Sequence, residues 1–193
     1  MKKTWNFCIA LAAAIILIGC GAKFEPTEST IYITSKGEVM SAIMESFDKA
    51  YYNFEELSQN VNKEVKAYCL DVNKESVVID SFEKVSDEVA LLMTYETVED
   101  YTSFNDVLLF AGTYADAVMA GYLPAELHDT EGEMVETDSE ELNDLKVVVT
   151  EESVCIQVDG KIKYVSDNVS IVDKKLARAM EAGKNHPAFV LYK

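Results

Sequence analysis

Apolar and polar positions along the chain fall into three kinds of pattern. Residues 7–18 form an almost unbroken apolar run behind Lys2 and Lys3. From residue 31 onward the apolar positions come in short alternating pieces, and one longer stretch has helical spacing. Residues 31–34 alternate as a strand, Ser35-Lys36-Gly37 marks a turn, and residues 38–47 form the returning strand. Met40, Ile43, Met44 and Phe47 also fit a helix over residues 40–50, with the hairpin the favoured reading. Asn53 followed by Glu56 has the arrangement of a capping box. Phe54, Leu57, Val61, Val65 and Tyr68 then recur every three or four residues, which predicts an amphipathic helix laying one stripe on a sheet.

The remainder reads as strands with short helices between them. Residues 76–85 and 88–95, broken at Ser86-Asp87, predict a hairpin. Thr97 with Asp100 opens a helix to about Asn105. Residues 107–111 read as a strand, and residues 114–120 as a helix begun at Gly112 or Thr113 and closed by Gly121. Residues 145–150, 154–158 and 161–165 are strand-like, with Asp159-Gly160 a hairpin signal between the last two. Residues 169–173 predict another strand, 174–182 a helix ended by Gly183, and 188–192 a final strand. Hairpins with helices between and after them predict an α+β fold, mainly an antiparallel sheet packed against a few helices in a single domain. Residues 126–144 differ in kind, with nine carboxylates among nineteen residues and no Lys or Arg. That composition predicts a mobile or loosely ordered acidic loop.

The first run decides the compartment. It is too short to span a bilayer, which takes about twenty residues, and it has the layout of a secretory signal. Leu17-Ile18-Gly19-Cys20 at its end resembles the lipobox of bacterial lipoproteins. The resemblance implies diacylglycerol on the Cys20 thiol and cleavage between Gly19 and Cys20. It divides the chain into a signal peptide (1–19), a lipidated cysteine with a short tether (20–30) and an acidic domain (31–193). Two or more acyl chains hold stably in a membrane where one holds only marginally. The protein is thereby expected at the extracytoplasmic face of the cell membrane.

Charge sharpens this picture. The chain carries −17, and loss of the two signal lysines takes it to −19. No basic face is available for phosphates, which argues against nucleic acid and against electrostatic docking on anionic lipid. A cationic partner, or solubility alone, is the use such charge supports. Of four cysteines, Cys8 leaves with the signal and Cys20 takes lipid. Cys69 and Cys155 remain, as a possible disulfide or as buried free thiols.

Catalytic spacing is absent. There is no Gly-x-Ser-x-Gly elbow, no Ser-x-x-Lys, no phosphate-binding glycine loop and no metal-ligand spacing of Cys or His, so no cofactor is expected. His128 and His186 are the only histidines, and a Cys155–His pair is a remote option. Gly112-Thr113 reads as a helix cap. Asp129, Glu131, Glu133 and Asp138 offer oxygens for calcium but do not follow the Asp-x-Asp-x-Asp-Gly pattern. The lone Trp5 lies in the signal, which weighs against a sugar platform. Tyr51, Tyr52 and Phe54, with Tyr101, Phe104 and Tyr114, are either core or the lining of a ligand groove.

The domain also resembles small uncharacterised lipoproteins of Gram-positive bacteria. The matching features are Gly37, the tyrosine-rich lead into the helix at Phe54, the stretch from Phe104-Asn105 to Phe110-Ala111-Gly112-Thr113, and Tyr164-Val165-Ser166-Asp167-Asn168-Val169. No activity comes with that resemblance. Two functions are carried forward. One is a membrane-anchored, non-catalytic module that binds an unknown protein or cationic partner. The other is a cell-envelope hydrolase using a carboxylate pair that sequence does not identify.

Overall fold

The N-terminal hairpin forms as its turn chemistry predicts. Strand β1 (Thr30–Ile33) pairs antiparallel with β2 (Val39–Ser46), and Gly37 takes the left-handed φ of 86° that the tight turn requires. The structure is a computed structural model describing residues 24–193, so the segment holding Gly19 and Cys20 lies outside it. Helix α1 (Phe54–Asp71) follows. The Asn53 side chain accepts from the Glu56 amide at 3.1 Å, and the helix runs one turn beyond the predicted apolar stripe. Strands β3 (Val77–Val85) and β4 (Glu88–Tyr95) form the hairpin expected from the Ser86-Asp87 break. Helix α2 (Val98–Asn105) starts at the Thr97 cap and stops at Asp106, whose φ is 53°.

Strand β5 (Leu109–Thr113) leads into α3 (Tyr114–Met119), opened by a reciprocal Thr113–Asp116 capping box. The acidic stretch then departs from the expected loose loop. It contributes β6 (Leu127–Asp129), β7 (Met134–Val135) and a single 3₁₀ turn, Glu140–Leu142, with Leu127 and Leu142 fully buried. Those two leucines are enough to seat the segment, and its carboxylates point to water between them. Strands β8 (Lys146–Thr150), β9 (Cys155–Val158), β10 (Ile162–Ser166) and β11 (Val169–Asp173) fall where predicted.

Two further predicted features are overturned. Asp159-Gly160 does not close a hairpin: β9 and β10 belong to different sheets, and the dipeptide carries the chain across. Gly160 is needed there for close approach. A Cβ on it would stand 2.7 Å from the backbone of Lys193, where Lys161 and Lys193 exchange amide hydrogen bonds of 2.7 and 3.0 Å. The helix predicted over residues 174–182 is instead strand β12 (Leu176–Ala179). Helix propensity is overridden because β12 is paired on both sides, by β11 and β9, and buries Ala177 and Ala179 in alternation with exposed Arg178. The last strand, β13 (Ala188–Tyr192), is buried at every position.

The strands form a seven-stranded sheet, β11-β12-β9-β1-β2-β4-β3, and a six-stranded sheet, β5-β8-β13-β10-β6-β7, antiparallel except for β1 with β9. This is an α+β domain in which sheet dominates. The main core lies between the sheets, joining Ile31, Val39, Met93, Ile156 and Ala177 of one to Val148, Ile162, Ala188 and Val190 of the other, with Val65 and Tyr101 from the helices. A second core on the far side of the six-stranded sheet joins Val147, Val149, Phe189 and Leu191 to Tyr114 and Ala117 of α3, and to Leu127 and Leu142. Gly160→Ala is expected to lower stability by about 1–3 kcal/mol by forcing the chain end off β10. Urea unfolding measures it, and an unchanged midpoint would contradict the crossing described here.

Candidate functional site: an aromatic groove

The N-terminal half of α1 does not seal against the sheet. Between it and β2, β3 and β4 lies an open groove of about 550 Å³. Ile43, Val89 and Leu91 of the sheet form its floor with Phe82, Leu57 and Val61 form the helix side, and Tyr51 and Tyr52 stand at its mouth. The local sequence explains the geometry. Phe47 closes β2 by donating its amide to Asp87 at 2.6 Å, Tyr52 donates its amide to Lys49 at 3.0 Å in a turn, and Asn53 then caps the helix. The connection is too short to bury both tyrosines, and Tyr51 remains 79% exposed.

The rings form a connected run. Tyr51 meets Tyr52 edge-on at 4.9 Å, Tyr52 meets Phe47 at 4.8 Å, Phe47 meets Phe54 at 6.4 Å and Phe54 meets Phe82 at 5.0 Å. Tilted and edge-to-face pairs of this kind hold one another in place, and Tyr51 and Tyr52, the exposed rings of the run, keep ring surface open to a ligand while Phe47 is buried. The Lys84 ammonium lies over the Phe47 ring, 5.0 Å from its centre, so that ring already holds a cation of the protein's own. Glu45, Glu56, Asn53 and Asn60 add polar groups to the lining. The arrangement suits non-covalent capture of an apolar or aromatic group that also bears positive charge.

The structure divides the six aromatic candidates. Tyr51 and Tyr52 reach the groove and Phe54 braces it, whereas Tyr101 and Tyr114 are core. Phe104 packs on Tyr68 and Tyr95. The Tyr114 hydroxyl donates to the Thr137 carbonyl at 2.8 Å and ties down the acidic segment. Phe47 and Phe82 went unmarked in the sequence because both lie in strand patterns that read as ordinary core.

The other candidates have structural positions. Cys69 and Cys155 are free thiols, so the possible disulfide is not formed. Cys69 lies on α1 at the inner side of the seven-stranded sheet, its thiol toward the Val77 carbonyl at 3.5 Å. Cys155 aligns with Thr30 and Arg178 on the opposite face, leaving the sheet between them. Burial pushes the Cys155 thiol up. Neither histidine pairs with it: His186 contacts Asp167 at 3.0 Å, and His128 lies 3.6 Å from Glu126. Asp129 accepts the amides of Glu133 and Glu131, which hold its carboxyl below the usual carboxylate value and make it the brace of a turn. Among the described residues no group of three or more His, Cys, Asp or Glu side chains is placed to hold a metal. Thr113 serves as the expected cap.

Two carboxyls are raised by burial. Asp80, at the β3 bulge, accepts from the Thr94 hydroxyl at 2.7 Å. Glu152 accepts from the Tyr101 hydroxyl at 2.7 Å, and Glu151 beside it accepts the Leu108 amide at 3.0 Å. Neither raised group lines the groove.

The Glu152 shift has a definite sign. With its folded-state value raised, its contribution to stability is complete below the ordinary glutamate range and is lost as pH rises through the folded value. Glu152→Gln keeps an acceptor for Tyr101 without the buried charge. The variant is expected to gain on the wild type as pH rises from acid to neutral, read from urea midpoints across that range. Parallel curves would contradict a buried, raised carboxyl. Compared with family models, curated proteins and solved structures, the chain matches none, so its functional reading rests on its own residues.

Proposed function

We propose that the protein is a lipid-anchored, extracytoplasmic, non-catalytic binding module whose ligand site is the aromatic groove. The anchor is supported by Lys2 and Lys3, the apolar run over residues 7–18 and Leu17-Ile18-Gly19-Cys20, with cleavage after Gly19 and diacylglycerol on Cys20. No helix of the described residues is long and apolar enough to cross a membrane. The observation that carries the binding role is Tyr51, 79% exposed at the mouth of an apolar groove. An aromatic left in water beside unfilled apolar surface does little for the fold and much for a partner. The groove is mixed in character, and the net charge of −17 favours a partner with positive charge.

Two measurements test the two halves. Cys20→Ser is expected to move the protein from the membrane to the soluble fraction, and unchanged sedimentation would refute the anchor. For the groove, a photo-crosslinking residue at Asn60 in living cells is expected to yield a discrete adduct that the same residue at Val172 does not. Tyr51→Ala should abolish most of that adduct while changing stability by no more than about 0.5 kcal/mol. Equal labelling at both positions, or an adduct indifferent to Tyr51→Ala, would refute the site.

A further inference from the structure

Phe24 is the first described residue, and it is docked. It is 7% exposed, stacks on Tyr32 with ring centres 5.9 Å apart, and joins a small core with Ala42 and Leu92. Strand alternation places this core on the outer face of the seven-stranded sheet. Ile31, Ser41 and Met93 share the inner face with α1, while Tyr32, Ala42 and Leu92 point the other way. The residues after Phe24 are held as well. The Ser29 hydroxyl accepts the Met44 amide at 3.0 Å and donates to the Met44 carbonyl at 3.2 Å, the Thr30 hydroxyl donates to the Glu28 carbonyl at 2.7 Å, and Arg178 pairs with Glu28. The part of the expected 20–30 tether that the structure describes is therefore a strap laid on the sheet.

Only Gly21, Ala22 and Lys23 separate Cys20 from that strap, and four Cα steps reach at most about 14 Å. We propose that the outer face of the seven-stranded sheet, centred on Phe24 and Tyr32, is the side the domain turns toward the phospholipid headgroups around its anchor. Helix α1 and the aromatic groove, on the opposite side of that sheet, consequently face away from the bilayer. The inference rests on the lipid anchor proposed above. Electrostatics does not supply the orientation, since a body of this charge is repelled by anionic lipid. The short covalent leash and its pin supply it. Partly buried Met40, Met44 and Ala90 give the same face an apolar centre suited to rest on a headgroup layer.

The test uses lipidated protein extracted from native membranes and reconstituted in phosphatidylcholine vesicles with a headgroup-attached energy acceptor. Donor dyes are placed at Val78→Cys on the outer face or Leu70→Cys on α1, both exposed positions, in a Cys69→Ser background with Cys155 buried. Transfer from position 78 is expected to exceed that from position 70 about twofold, the helix lying about 10 Å beyond the sheet. Phe24→Ser should bring the two efficiencies together, and Phe24→Leu should preserve the difference. Vesicle flotation is scored in parallel. Protein that floats with equal or inverted transfer, or keeps its bias in Phe24→Ser, overturns the orientation and leaves the anchor standing. Wild-type protein that fails to float overturns the anchor, and the orientation with it.

Discussion

The architecture depends on one short strand being paired along both edges. β1 is buried at all four positions and lies between β2 and β9, so without it the seven-stranded sheet would separate into β2-β4-β3 and β9-β12-β11. Its ladder with β9 joins Thr30 to Cys155 and Ile33 to Val158, a contact between distant parts of the chain. Ordering such a pair costs about 1–2 kcal/mol per residue in backbone entropy, so hydrogen bonds alone do not hold it. The compensation comes from both faces. Ile31 and Ile33 enter the core between the sheets, and Tyr32 is covered by Phe24 on the other side.

That arrangement links the two functional ideas. The strap ahead of β1 fixes Phe24 on the outer face of the seven-stranded sheet, and the β2, β3 and β4 half of the same sheet provides the floor of the groove on its inner face. Phe24 and the groove are thereby separated by one sheet thickness. The six-stranded sheet has a different task. Its last strand, β13, is buried on both sides, and α3 with the acidic segment shields its far surface. The acidic charge is thus displayed on a segment that itself covers core.

Much of the fold was legible because local signals agreed with tertiary placement. Asn53 and Thr97 are caps, Gly37 supplies its turn, and the α1 stripe faces the sheet. Legibility failed where partners were remote. Nothing near Asp159-Gly160 reveals that the chain end arrives beside Gly160, and nothing in the Lys- and Ala-rich stretch near Leu176 reveals that β9 and β11 await it. Composition misled for residues 126–144, since it averages over the two leucines that seat the segment. At the groove, Tyr51 and Tyr52 were visible as candidates. Phe47 and Phe82 were not, because only strand register reveals which face a strand aromatic takes.

Hydrogen exchange across residues 24–33, compared with β9, tests this account at its root. Docking of the strap and pairing of β1 along both edges predict that the amides of β1 exchange as slowly as those of Cys155–Val158. Exchange of the β1 amides at the rate of free chain, with β9 still protected, would contradict it.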